Sequence, residues 1–185
     1  LKLRSKEIFK DIDFDLGGGG VYPLIYFLIK FLKPKTVLET GVASGFSSYT
    51  ILTALEENKL GNLYSSDLPY FRISDPEKYI GILVPESLKK NWELYLGHDF
   101  SNLSKILKKV DSIDFFHYDS DKLYKARTKS FDLIKKRLNK NSIVMFDDIQ
   151  DNTHFYDFIV NNKITNYRIF EFEGKFCGLI IDFKV

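Results

Sequence analysis

Apolar positions along the chain alternate between helical spacing and short continuous runs, and the switches mark its elements. Residues 1–16 set charges between Leu3, Ile8, Phe9, Ile12 and Phe14, which predicts a short amphipathic helix lying on the domain. Gly17 to Gly20 break it. Four glycines cost backbone entropy to order, so they read as a flexible joint or as a flap over a site, with the joint favoured. The stretch 21–32, which contains Pro23 and Lys30, predicts a packed helix and falls short of a membrane span. Pro34 then resets the chain into a strand at 36–39.

From there strands and helices alternate. Helices are expected at 46–58, 101–109, 122–138 and 153–161, and a short one opens at Pro85. Strands are expected at 62–66, 93–97, 112–118 and 142–146. Such alternation builds a parallel α/β sheet covered by helices on both faces, with ligands beyond the carboxyl ends of its strands. The last two apolar runs, Tyr167 to Phe172 and Phe176 to Phe183, are joined only by Glu173, Gly174 and Lys175. That link is too short for a helical crossover, so the two runs pair antiparallel and one strand runs backwards.

Composition narrows the class. A chain of 185 residues with 44% hydrophobic content suits one domain, here 1–185. Lys and Arg total 27 against 25 Asp and Glu, a net charge of +2, and no nucleic-acid partner is expected. The lysines at 105, 108, 109, 135 and 136 sit at helical spacing and read as solvated faces. One cysteine, Cys177, excludes an intrachain disulfide and suits a reducing, cytoplasmic setting; it reads as a core residue of a strand. No membrane segment is expected.

Chemistry concentrates at the strand ends. After Val37 and Leu38 comes the turn Glu39 to Ser48, with Gly41 and Gly45 four apart before a helix. Glycine permits positive φ and a close ligand, and the helix start offers unpaired N–H groups. Glu39, Asp67, Asp99, Asp119, Asp147 and Asp148 all fall at or just past the end of a strand, which gathers six acids at one edge. Crowded carboxylates repel unless a cation or hydrogen bonds compensate them.

The segment Glu39 to Ser47 resembles the S-adenosylmethionine (SAM) motif of class I methyltransferases, and Asp67 matches the acid that holds the ribose hydroxyls there. Glu39-Thr40-Gly41-Val42 with Ser47 and Ser48, Ser66 to Pro69, and Tyr79 to Glu86 through Trp92 resemble a group of small SAM methyltransferase domains. The resemblance implies a Rossmann-like sheet ending in a reversed hairpin strand. It also implies that Gly41, Ser44 and Gly45 approach the cofactor, Ser47 binds its carboxylate end, Glu39 lies under the methionine part, and His98 and Asp99 lie near the adenine. Only Gly41 and Gly45 occupy the first turn, which lacks the G-x-G-x-x-G spacing and disfavours a nicotinamide cofactor.

Tyr118 to Tyr124 and Phe146 to Asp148 are similar to the metal and base motifs of cation-dependent O-methyltransferases of the catechol and caffeoyl-CoA type. That similarity implies Asp119, Asp147 and Asp148 as ligands of Mg²⁺ or another divalent cation, Lys122 as base, and Asp119 close to metal, cofactor or substrate. Two positions depart from the pattern: Asp148 stands where Asn is expected, and Tyr124 follows the lysine one residue early. The small-domain group often carries His at the place of Lys122. His117, inside a strand, reads as core, and His154 is a candidate lining for an acceptor pocket. The expected activity is SAM-dependent O-methylation of a small-molecule or sugar-like hydroxyl; the alternative is a non-catalytic SAM-binding or interaction domain. Residues 1–20 and 68–84 are the segments available to cap the acceptor site, so completion by a second copy in a homodimer is a further expectation.

Overall fold

A computed structural model describes residues 1–71, 73–181 and 183; position 72 of the irregular stretch and position 182 of the expected last strand lie outside them. Seven strands form one sheet in the order β3-β2-β1-β4-β5-β7-β6. They are β1 (Thr36–Thr40), β2 (Asn62–Asp67), β3 (Trp92–Leu96), β4 (Ile113–Tyr118), β5 (Leu138–Phe146), β6 (Tyr167–Phe172) and β7 (Lys175–Ile181). β1 to β5 pair in parallel, and β7 runs antiparallel to both β5 and β6. The β6–β7 turn is Glu173-Gly174, with φ of 52° and 80°, the two positive values that a twisted two-residue hairpin turn requires.

A parallel sheet buries both faces, and neighbouring residues of its strands serve opposite layers. Val37, Phe115 and Met145 pack under α2 (Tyr22–Leu32) and α3 (Phe46–Asn58) with Ile25, Ile29, Ile51 and Leu55. Leu38, Phe116 and Phe146 face the other way, toward Leu103 and Ile106 of α4 (Asp99–Ile106), Phe131 and Ile134 of α5 (Tyr124–Ile134) and Phe155 of α6 (His154–Asn161). Cys177 is a buried free thiol of β7. No helix among the described residues is long and apolar enough to cross a membrane.

Several boundaries differ from those read in the sequence, three of them for a physical reason. α1 (Lys2–Phe9) stops well before residue 16, because Phe14 is drawn off to pack edge-on against Tyr79 at 5.0 Å. α4 opens at Asp99, which puts an acid in its first turn, where the helix dipole favours one. The helix expected to 138 ends at Ile134 in a single 3₁₀ turn, and β5 begins at Leu138, paired with Ile113 across a register shift.

Candidate active site

The strand order reverses between β1 and β4, and such a switch point opens a crevice beyond the carboxyl ends of the strands. β1 delivers its turn there. Gly41 has φ +84°, and a Cβ on it would collide with the Asp119 carbonyl. Gly45 has φ +96°, and its Cβ would come within 2.9 Å of Gly81 Cα. The close approaches that these two glycines allow are therefore made by the protein's own backbone. Residues 81–84 brace the turn from outside, with Gly81 N–H donating to the Ala43 carbonyl (2.8 Å) and Leu83 N–H to that of Ser44 (3.0 Å). Ser44 in the turn and Ser47 at the start of α3 are buried, and the Ser44 hydroxyl has no partner.

Asp67 spans this turn from the end of β2. Its Oδ2 accepts from Val42 N–H (2.9 Å) and Ala43 N–H (2.6 Å), and its Oδ1 from Leu68 N–H (2.7 Å). Burial pushes its carboxyl up to about 6, against the downward pull of those backbone bonds. Asp99 ties the ends of β2 and β4 together across β1, accepting from the hydroxyls of Ser66 (2.6 Å) and Ser120 (2.5 Å). Asp99 and the exposed His98 border a cavity of about 510 Å³ with Leu68, Phe100, Ser120 and Asp121.

Beneath the turn lies a buried polar group set by strand register. Glu39 of β1 pairs with His117 of β4, and His117 pairs with Met145 of β5. One pleat onward on the same face stand Asp119 and Asp147. Glu39 Oε2 accepts from the hydroxyls of Ser48 (2.6 Å) and Ser65 (2.8 Å), while Oε1 stands 3.7 Å from His117 Nδ1. Burial alone would lower the His117 pKa; the acids around it, Glu39 foremost, outweigh burial and raise it. Gly20 lies directly on Asp147, for a Cβ there would overlap the carboxylate. The glycine run thus crosses the site edge, with Gly19 against Phe46 and Gly17 near Ala43.

Lys122 sits where the chemistry was expected. Its ammonium bridges Asp119 Oδ1 and Asp148 Oδ2, the latter at 3.0 Å. Burial would lower its pKa, but the charges of Asp119 and Asp148 more than compensate and raise it, so the side chain is an ammonium and not the depressed lysine a base requires. Asp148, in a left-handed turn at φ 49°, also faces Lys175 at 3.5 Å. Burial acts against its ionisation, yet Lys122 and Lys175 hold its pKa below the ordinary value. Among the described residues, the group of metal-capable side chains with ligand atoms within 4.8 Å of one another is His117, Asp119 and Asp147. Asp148 is outside it, so the set Asp119, Asp147 and Asp148 does not fit a common cation: lysines occupy the third carboxylate.

Sequence reasoning missed His117, Lys175 and Arg127, a buried side chain whose Nη2 donates to the Asp148 carbonyl at 3.0 Å. The Glu39–His117–Asp147 alignment needs the strand register, which no local pattern reports. His154 faces away from this row: it is buried among Tyr124, Phe146 and Phe158, with its ring 5.1 Å from that of Tyr124.

A sheet of this order, with a glycine turn at its switch point and an acid closing the second strand, defines the class I SAM methyltransferase fold. The chain belongs to the methyltransferase domain family, whose sequence profile matches residues 38–149. No curated protein sequence matches it significantly. Solved structures with the same fold include the O-methyltransferase from Bacillus cereus in complex with S-adenosylhomocysteine (SAH), at TM-score 0.69 and 14% identity over 97% of this chain and 87% of that one. A methyltransferase from Geobacter sulfurreducens aligns at TM-score 0.70 and 14% identity over 97% and 88%. The O-methyltransferase TomG from Streptomyces achromogenes, in complex with SAM, aligns at TM-score 0.67 and 14% identity over 96% and 86%. Identity this low speaks to the fold.

Proposed function

We propose that this chain binds SAM along the carboxyl edge of the sheet and methylates a hydroxyl group of a small-molecule or sugar-like acceptor. The observation that carries the reading is the ion-paired row Asp119, Lys122 and Asp148, which places a fixed ammonium between two carboxylates beside the glycine turn. In this reading Asp67 takes a ribose hydroxyl through Oδ1, which keeps an acceptor position for a charge-assisted bond while backbone N–H groups fill Oδ2. The cavity beside His98 and Asp99 takes the adenine. The names of the Bacillus cereus and Streptomyces achromogenes proteins, and their SAH and SAM complexes, support this direction.

Methyl transfer from a sulfonium is an in-line displacement. The C–O bond forms as the C–S bond breaks, and sulfur keeps the electron pair and leaves as the thioether of SAH. The acceptor must be aligned and must give up its proton. Lys122, held as an ammonium, orients the acceptor oxygen and stabilises its developing negative charge, and the acceptor's proton leaves to bulk water as the C–O bond forms. The test is calorimetric titration of SAM into the wild-type chain and Asp67→Ala, with labelled-methyl transfer to a panel of hydroxyl metabolites. Micromolar binding lost in the variant, with transfer to at least one acceptor, is the expected result. Binding with no transfer would favour a SAM-binding domain without catalysis, and no binding would overturn the reading.

A further inference from the structure

His117 is fully buried, and neither of its ring nitrogens has a hydrogen-bond partner. Asp147 is 2% exposed; its Oδ1 accepts from Asp148 N–H at 3.0 Å, and its Oδ2 has no partner. Asp119 gives Oδ1 to Lys122, which leaves Oδ2. Native proteins rarely leave buried polar atoms unpaired, and here they gather in one place, with ligand atoms of His117, Asp119 and Asp147 within 4.8 Å of one another. Of these acids Lys122 pairs with Asp119 alone; a dication would pair the His117 nitrogen and Asp147 Oδ2 together and offset the carboxylate charge that remains.

We infer that His117, Asp119 and Asp147 form a buried divalent-metal site that prefers a borderline ion such as Mn²⁺, Fe²⁺, Co²⁺ or Zn²⁺ over Mg²⁺. The ligand set differs from the three carboxylates implied by the resemblance: an imidazole replaces Asp148, which the lysines hold. Ions of this class bind nitrogen and carboxylate oxygen at about 2.0–2.2 Å, so donors this close need only a side-chain adjustment to share one. Mg²⁺ favours oxygen donors in a near-ideal octahedron and is disfavoured by the imidazole. Glu39 Oε1, 3.7 Å from Nδ1 and itself unpartnered, orients the ring when Nε2 ligates, the arrangement in which an outer carboxylate steers a metal-bound histidine. Gly20 closes the site from above, because no other residue fits over Asp147 Oδ2. The inference goes beyond the methyl-transfer reading and stands whether or not SAM binds.

The experiment is titration of Co²⁺ into the chelator-stripped full chain, followed by visible absorption and calorimetry, with Mg²⁺ and Zn²⁺ as competitors. One equivalent should bind, Zn²⁺ should displace it, and millimolar Mg²⁺ should not. His117→Gln should weaken binding by at least about tenfold, whereas Asp148→Asn should leave it within about threefold. Should His117→Gln not fold by circular dichroism, Gly20→Ala is read in its place, since its Cβ drives Asp147 from the site. Pulsed EPR of the Mn²⁺-loaded chain, with the exposed His98 replaced by Gln, should show nitrogen coupling from one imidazole. No stoichiometric uptake, a preference for Mg²⁺, absent nitrogen coupling, or loss in Asp148→Asn with retention in His117→Gln would each overturn the site. SAM titration run in parallel fails or succeeds independently.

Discussion

Asp67 carries two demands that pull its protonation in opposite directions. Its native pKa of about 6 lies above the ordinary 3.8, so burial favours the protonated form: the stability this shift contributes is full below 3.8 and is lost as pH rises through about 6. Binding a ribose diol needs the ionised form. SAM affinity should therefore fall as pH drops through about 6, by about tenfold at one unit below, and calorimetry at several pH values checks it. Asp67→Asn should flatten that pH dependence and weaken SAM by about 10–100-fold, the range for hydrogen bonds to a charged partner. Lys122 makes a different prediction, because its ammonium contacts Asp119 and Asp148 and borders neither Asp67 nor the cavity beside His98 and Asp99. Lys122→Met should lower kcat by about 100-fold or more with little change in the KM for SAM. Lys122→Arg, which keeps the charge, should recover part of the rate; an equal loss in both variants would make the lysine structural.

At the scale of elements, two glycines with the same sign of φ separate packing from conformation. Gly41 (φ +84°) abuts the Asp119 backbone, so Gly41→Ala must both strain the turn and part β1 from the β4 end. Gly174 (φ +80°) has nothing within 4 Å of its Cβ position. Gly174→Ala should cost about 1–2 kcal/mol, the conformational term alone, and Gly41→Ala about 2–4 kcal/mol; denaturant midpoints measure both. The strand ends were legible because each apolar run stops at an acid: Glu39, Asp67, Asp119 and Asp147 sit where the pattern put them. The first half of β5 was not, because Leu138 to Asn141 are mostly polar and partly exposed: Leu138 reads as the close of a helix and 139–141 as the link to a strand at 142. From the sequence His117 reads as core, because one strand shows only that a residue is buried. Its company depends on pairing with Glu39 and Met145 across two long-range ladders.

Across the whole molecule, the two segments expected to cap the acceptor site pack on each other. Arg4 Nε donates to the Leu83 carbonyl (2.8 Å), Tyr70 hydroxyl donates to that of Leu16 (2.8 Å), and Phe14 meets Tyr79 edge-on. Residues 81–84 in turn brace the glycine turn, so the first twenty residues reach the cofactor edge through a second segment as well as through Gly20. The glycine run is the weak link in this arrangement: Gly17 and Gly18 are exposed, and glycines lose the most backbone entropy on ordering. Local opening there lifts Gly20 off Asp147 and loosens the cap together. A ligand that binds only the closed form opposes opening by mass action, about tenfold at nine times its dissociation constant. Limited digestion with a non-specific protease should therefore cut first at Gly17–Gly18, and SAM at ten or more times its Kd should slow that cut by about tenfold. A cleavage rate unchanged by saturating SAM would mean that the strap opens without disturbing the cofactor edge, and that Gly20 covers Asp147 for the fold alone.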